Sequence, residues 1–146
     1  MKSSKFQVPS SKEVPRLKFQ DAAWELHEGM GPQPAKPYDL EERTALFGES
    51  VIRLAKKIPH GPGTNRLIDQ FVGAGTSVGA NYSEASETVS RKDFKYAISR
   101  CVKEAKETLF FLRMIASAEP QLADDARQLY RECRELHLIF ASMYRK

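Results

Sequence analysis

The sequence predicts an all-α protein, an antiparallel up-down-up-down four-helix bundle preceded by an N-terminal arm. Apolar residues recur at spacings of three and four through four segments after residue 38, and Pro, Gly or a capping Ser separates these segments. No segment alternates polar and apolar residues as a strand would. Because the connections are short, consecutive helices are expected to run antiparallel. We therefore divide the chain into an arm, residues 1–38, which is either flexible or docks on a partner, and a four-helix bundle, residues 39–146.

The first two helices are bounded by capping residues and by a turn rich in Pro and Gly. Asp39 and Glu42 have the spacing of a capping box, and Pro59 ends the first helix. The apolar face of this helix comprises Leu40, Phe47, Val51, Leu54 and Ile58. Thr64 is predicted to cap the second helix. The inward stripe of the second helix comprises Ile68, Phe71, Val72, Gly75, Val78, Tyr82 and Val89.

The last two helices repeat the same spacing. Ser90 is predicted to cap the third helix and Pro120 to end it. The seam of the third helix comprises Phe94, Ile98, Cys101, Ala105, Thr108, Leu112 and Ile115. The seam of the fourth comprises Leu122, Ala126, Leu129, Cys133, Leu136, Phe140 and Met143. The two cysteines have neither metal-site nor redox-motif spacing, so we predict that both are reduced core residues.

Composition and motifs exclude several classes of protein. A length of 146 residues with 41% hydrophobic and 29% charged residues suits one compact domain. Because the N-terminus lacks the apolar stretch of a secretory signal and no long apolar run follows, we expect a cytoplasmic protein without a membrane partner. His27, His60 and His137 are scattered without a nucleophile or an acidic partner, and no phosphate-binding loop is present. We therefore predict no catalytic residues, no metal site and no cofactor.

The second helix has an unusual uncharged segment of fourteen residues, from Gln70 to Ser83. A helix with no charged face is normally buried on more than one side, which predicts self-association. Glycine in a helix interior is destabilising by about 1 kcal/mol relative to alanine, so its repeated use here needs a packing reason. The helical period assigns Gly75, Gly79 and Tyr82 to helix packing. The candidate oligomer interface comprises Gly73, Ala74, Ser77, Ala80 and Ser83. Close helix crossing within one bundle explains the small residues equally well.

Basic residues are concentrated on the third helix of a chain whose net charge is +4. Within an arc of about 80° lie Lys92, Lys95, Lys103, Lys106 and Arg113. Such a stripe can neutralise successive phosphates of RNA or DNA without reading the bases, and Phe110 lies within it as a stacking surface. The alternative is a solvated face supported by pairs such as Lys103 with Glu107.

Several motifs resemble those of a known family of four-helix-bundle proteins. They are Gly75 to Tyr82, Glu84-Ala85, Ser90 to Phe94, Lys103 to Thr108 and Leu112-Arg113. The family is encoded by intervening sequences of bacterial large-subunit ribosomal RNA genes and is related to the accessory variability determinant of diversity-generating retroelements. The resemblance covers residues 39–146 and implies a homopentameric ring of antiparallel bundles. For the retroelement relatives it implies a basic surface that engages nucleic acid and a reverse transcriptase, whereas most members have no assigned activity.

The chain departs from the family pattern at two positions of the second helix. Arginine is common in the family where this chain has Gly73 and Ser83. The loss of positive charge weakens a nucleic-acid role for this helix but leaves the pentamer intact. We therefore predict a noncatalytic homo-oligomeric scaffold or adaptor, with the pentamer as the expected assembly. The alternative is a nonspecific nucleic-acid-binding accessory protein that acts through the third helix, with a reverse transcriptase as a further partner.

Overall fold

The computed structural model describes residues 39–146, which form four α-helices packed in sequence. The helices are α1 Leu40–Lys56, α2 Asn65–Ala85, α3 Arg91–Ala118 and α4 Ala123–Arg145, with a 3₁₀ turn at Pro120–Leu122 before α4. The predicted all-α antiparallel bundle is confirmed. The predicted arm, residues 1–38, lies outside the described residues.

Side-chain caps fix the beginnings of α1 and α3 as predicted. The carboxylate of Asp39 accepts the backbone N–H of Glu42 at 3.1 Å, and the hydroxyl of Ser90 accepts that of Asp93 at 3.0 Å. At α2, Thr64 occupies the N-cap position but makes no side-chain cap hydrogen bond. Its hydroxyl instead donates to the carbonyl oxygen of Pro59 at 2.5 Å. Thr64 therefore ties the turn to the end of α1.

The assignment of Val89 to the inward stripe of the second helix is wrong. The helix ends at Ala85, and Val89 lies in the following turn with 99% of its surface exposed. The hydroxyl of Thr88 donates to the carbonyl oxygen of Ala85 at 2.7 Å, and that of Ser86 donates to the preceding turn of the helix. These bonds satisfy the last carbonyl groups locally, so the polar residues before Ser90 end the helix although the apolar spacing would allow it to continue.

A single hydrophobic core runs along the bundle between all four helices. Its largest fully buried apolar side chains are Phe47, Phe71, Phe140, Ile58, Ile98, Leu112, Ile115, Leu136, Val51 and Val78. Fully burying such a side chain stabilises the folded state by about 1.5–3 kcal/mol. Each helix packs against its neighbours in sequence, and α1 also packs less extensively against α4, which closes the bundle.

A charged cluster joins the first and last helices. Arg43 Nε lies 2.6 Å from Glu132 Oε2, and Arg43 Nη2 lies 2.7 Å from Glu135 Oε1. Glu132 is buried. Although partial burial pulls the pKa of Arg43 down, hydrogen bonds and charge attraction from the two glutamates raise this pKa above its ordinary value. Arg43 thus places a positive charge directly against the buried side chain of Glu132.

Candidate functional site

Two glycines of α2 lie where α1 approaches closely. A Cβ atom at Gly75 would lie 2.7 Å from both γ-carbons of Val51, and one at Gly79 would lie 3.0 Å from Thr44 Oγ1. The distance at Gly75 is too short for a Cβ atom, so a side chain there would force a neighbouring group to shift. At Gly79 the contact is tight, and Thr44 would have to move by a few tenths of an ångström to accept a side chain. Gly75 and Gly79 therefore allow the close crossing of α1 and α2 within a single copy of the chain.

The polar residues at the end of the uncharged segment are held by packing and backbone contacts. The ring of Tyr82 lies 5.5 Å from that of Phe140, at an angle of 47°. Burial raises the pKa of Tyr82, and the negative charge of Glu41 adds to this shift. Asn81 is buried, and its amide nitrogen donates to the carbonyl oxygen of Ser77 at 2.8 Å. These contacts bind both side chains into the bundle.

The outer side of α2 is uncharged through its central turns. We name Gly73, Ser77, Ala80 and Ser83 the small-residue face. Three of these residues are exposed, and Ser77 is half-buried. The Ser77 hydroxyl donates to the carbonyl oxygen of Gly73 at 2.7 Å. Among residues 39–146, a Cβ atom at Gly73 would meet nothing within 4 Å. The packing of the four helices therefore does not require glycine at position 73.

Ala74 differs from the sequence-based expectation that it faces outward. Only 4% of its surface is exposed, and it belongs to the interior of the bundle. Ala74 lies one helical turn before Val78, so the two residues share the buried side of α2. It is therefore separated from the small-residue face.

The basic stripe, Lys92, Lys95, Lys103, Lys106 and Arg113, lies along α3. Four members are exposed, whereas Lys95 is half-buried with Nζ 5.0 Å from the ring centroid of Tyr144. Lys103 Nζ lies 3.4 Å from Glu107 Oε2, so this part of the stripe is partly neutralised. Phe110 is 55% exposed among these cations. The stripe therefore combines positive charge with one accessible aromatic ring.

The edge of α4 beside the basic stripe carries a further exposed cation, Arg134. The Cys133 thiol donates to the carbonyl oxygen of Ala105 at 3.3 Å, which brings the adjoining turns of α3 and α4 together. Burial lowers the pKa of His137, and the positive charge of Lys106 lowers it further. The prediction from sequence missed Arg134 because arginine and glutamate are interspersed along α4. The position of Arg134 in the helical period of α4 was the signal in the sequence that could have placed it on this edge.

Both cysteines are buried and free, as predicted. The Cys101 thiol donates to the carbonyl oxygen of Val78 at 3.6 Å. Burial raises the pKa of Cys101 to about 12 and that of Cys133 well above its ordinary value. Since the thiolate is the reactive form of cysteine, neither side chain is activated as a nucleophile at neutral pH.

Metal-binding and membrane-spanning features are absent from residues 39–146. In this part of the chain, no three or more His, Cys, Asp or Glu side chains are grouped so that they could hold a metal ion. No helix within the same residues has the length and apolar content needed to cross a bilayer. The absence of an enzymatic activity stays a prediction.

Comparisons with known proteins agree with the resemblance found in the sequence. Residues 38–142 match the family described as 23S rRNA-intervening sequence protein. The fold is similar to the crystal structure of a protein with unknown function from the S23 ribosomal protein family of Bacteroides thetaiotaomicron. The two chains are 24% identical, with a TM-score of 0.67, and the match covers 73% of this chain and 98% of the other. This similarity establishes the shared fold alone. No curated protein matches the chain.

Proposed function

Because the chain belongs to the 23S rRNA-intervening sequence protein family, we propose that it is a noncatalytic scaffold or adaptor that assembles with copies of itself. A ring of five copies is the expected assembly, as implied by the resemblance to the wider family. The small-residue face is the proposed contact between copies. Its uncharged surface can approach another helix closely without leaving a charged side chain unpaired.

Gly73 is the observation that carries this proposal. Gly75 and Gly79 are explained by the close approach of α1, but a Cβ atom at Gly73 would meet no atom of the described bundle within 4 Å. Glycine at this position lowers helix stability by about 1 kcal/mol relative to alanine without a packing gain inside the four-helix bundle. Contact with a second copy would provide that gain, because glycine lets the partner backbone approach α2.

An apolar surface on α1 adjoins the small-residue face. Ala45, Gly48 and Ile52 share one side of α1, and Ile52 is 43% exposed. The position of a Cβ atom on Gly48 would be 3.8 Å from the Cα atom of Thr76, so this side of α1 is continuous with α2. An uncharged patch that spans two helices offers more contact area than one stripe of small residues, which favours a protein partner over solvent.

Light scattering with purified protein tests the assembly. We expect one defined multimer at micromolar concentration in both low and high salt, because the proposed contact is uncharged. Ala80→Glu should dissociate it, since each contact would bury unpaired carboxylates. The matched control is His60→Glu, which adds the same side chain to an exposed loop and should leave the mass unchanged. A wild-type monomer, or an Ala80→Glu variant of unchanged mass, would contradict the proposed interface.

Nucleic-acid binding through the basic stripe is a second candidate function. The observation that favours it is the exposure of Lys92, Lys103, Lys106 and Arg113 along one surface of α3. Cations spaced along a rigid helix can replace the counterions of several phosphates, which gives salt-dependent binding with little sequence preference. A reverse transcriptase is the protein partner that the resemblance to the retroelement relatives suggests for this role.

Replacing Lys95, Lys103 and Lys106 with Gln tests the second candidate. The triple variant should bind RNA or DNA more weakly and with a smaller dependence on salt, because fewer counterions would be released. Circular dichroism would verify that the helices remain folded. If wild-type protein binds neither RNA nor DNA at low salt, the second candidate is wrong, whereas the assembly proposal is unaffected.

A further inference from the structure

In the folded chain, acidic and basic side chains of α4 lie on different sides of the helix, although they are mixed in the sequence. Between residues 131 and 135, arginine and glutamate are interspersed. In the folded chain, both glutamates of this segment are turned to α1, where Arg43 binds Glu132 at 2.6 Å and Glu135 at 2.7 Å. Near the other end of α4, Asp125 binds Lys57, the residue that follows α1, at 2.9 Å. These contacts keep three carboxylates of α4 at its boundary with α1.

Arg134 lies on another side of α4, away from the contacts with α1. The helical period separates Arg134 from Glu132 by about 160° but from His137 by only about 60°. The hydrogen bond from Cys133 to Ala105 joins the adjoining turns of α3 and α4, and the positive charge of Lys106 contributes to the lowered pKa of His137. The exposed Arg134 guanidinium therefore extends the positive surface across the boundary between α3 and α4.

The distribution of charge agrees with this local geometry. Residues 88–146 contain twelve Lys and Arg and eight Asp and Glu, a net charge of +4. Residues 39–87 contain five Lys and Arg and seven Asp and Glu, a net charge of −2. The half of the bundle formed by α3 and α4 is thus the half that attracts a polyanion.

Phe110 indicates which kind of polyanion this surface would bind. Its ring is 55% exposed on the turn of α3 between Lys106 and Arg113, with its edge contact to Phe111 leaving a large part accessible. An unpaired base can stack on such a ring while neighbouring cations bind the backbone phosphates. A duplex keeps its bases stacked inside and offers only phosphates to an exposed helix face, so it would make no use of the ring.

We propose that Lys106, Phe110, Arg113 and Arg134 form a site for single-stranded nucleic acid across α3 and α4. This inference rests on the second candidate function and adds to it the strand type, a base-stacking residue and a contribution from α4. The strand would place phosphates against the cations of both helices and one base on Phe110. Binding would depend on salt and tolerate changes of sequence, because no base edge is read.

Fluorescence anisotropy with labelled oligonucleotides tests the site in the full chain. The probes are oligouridylate and oligodeoxythymidylate strands of about 20 nucleotides and a mixed-sequence duplex of the same length. We expect both single strands to bind more tightly than the duplex. Arg134→Gln combined with Lys106→Gln should weaken single-strand binding about tenfold and lower the slope of log K against log salt by about 1.4, the loss of two phosphate contacts. Phe110→Ala should weaken single-strand binding at least about fivefold and leave duplex binding unchanged.

The matched control is Lys56→Gln combined with Arg66→Gln, which removes the same charge from exposed positions on α1 and α2. We expect it to retain wild-type binding. Equal losses in both double variants would overturn the site while leaving nonspecific nucleic-acid binding in place. The single-strand assignment would be overturned if Phe110→Ala did not change single-strand binding and if the wild-type protein bound the duplex as tightly as the single strands. If no probe binds at about 50 mM salt, both the second candidate function and this site are wrong. A changed assembly mass for the Arg134 variant would identify this surface as a contact between copies and overturn the proposal.

Discussion

Val51 of α1 fills the space that a side chain at residue 75 of α2 would need. Both of its γ-carbons lie 2.7 Å from the position of a Cβ atom on Gly75. Val51 is fully buried, so it has little room to move. The pair sets how closely α1 and α2 approach. This contact explains why the bundle requires glycine at position 75, whereas the bundle makes no such contact with Gly73.

Gly75→Ala should lower the free energy of unfolding by about 1–3 kcal/mol, because overpacking at Val51 outweighs the better helix propensity of alanine. Gly73→Ala is the matched control, and it should raise the stability of the single copy by about 1 kcal/mol. Chemical denaturation under conditions that keep the protein monomeric measures both changes. Val51→Ala should partly rescue Gly75→Ala, so that the double variant loses less than the sum of the single changes. Strict additivity would contradict the close contact.

Arg43→Met should lower the free energy of unfolding by about 2–4 kcal/mol, because it removes the guanidinium group that binds the buried Glu132 side chain. Lys57→Met provides the control on the same two helices. Its pair with Asp125 is exposed on both sides, so its loss should be at most about 1 kcal/mol. Urea denaturation of both variants gives the comparison. Similar losses of unfolding free energy in the two variants would mean that the buried Arg43 cluster stabilises the fold no more than the exposed pair does.

Neither cysteine should react with a thiol reagent in the native protein at neutral pH. Burial raises the pKa of Cys101 to about 12 and also raises that of Cys133, while both thiols are shielded from the reagent. A colorimetric thiol assay should therefore detect both groups only after denaturation, and the native reaction should proceed at the rate of unfolding. Rapid modification of folded protein would show that one of these helices opens more easily than its packing indicates.

Stability should fall as the pH drops below the ordinary pKa of histidine, in part because of His137. Its pKa in the folded state is lowered, first by burial and then by Lys106, so the unfolded state binds more protons. This contribution to stability is present above the unfolded-state pKa and is lost as the pH falls through the lowered folded-state pKa. His137→Gln should make the pH dependence of unfolding shallower.

Lys106→Gln should raise the pKa of His137 toward its ordinary value, because it removes the nearby positive charge. Lys103→Gln removes a charge of the same type from a residue paired with Glu107 and should have a smaller effect. An NMR titration of the histidine ring protons measures both changes. An unchanged His137 pKa in the Lys106 variant would contradict the proximity of the two residues and, with it, the continuity of the basic surface.

Local chemistry and apolar spacing determine most of the fold, which explains why the four helices could be predicted. Asp39 and Ser90 cap their helices through bonds within four residues, and the core positions follow from helical period alone. Val89 was misplaced because its seven-residue distance from Tyr82 satisfies that period, while the period contains no information about the hydroxyl groups that end α2.

The candidate surfaces depend on contacts between distant segments and were predicted less completely. The orientation of Glu132 and Glu135 is decided by Arg43, some ninety positions earlier in the chain, with sequence separations of 89 and 92. A pattern in α4 alone cannot reveal this pairing, so Arg134 was not recognised as part of the positive surface. Ala74 was placed outside because its small side chain gives no hydrophobic signal that separates it from Ser77.

The cluster of Arg43, Glu132 and Glu135 joins two distant segments of the chain, which has a consequence for local unfolding of the bundle. The extensive helix contacts, α1 with α2, α2 with α3 and α3 with α4, form between segments joined by a short turn. The α1 and α4 seam instead closes a loop of most of the folded chain, so forming it costs the most loop-closure entropy. Local opening should begin at this edge, with α1 swinging away while α2, α3 and α4 remain packed. Hydrogen exchange would then be faster for α1 amides than for those of α3. Each such excursion would break the contacts from Arg43 to Glu132 and Glu135.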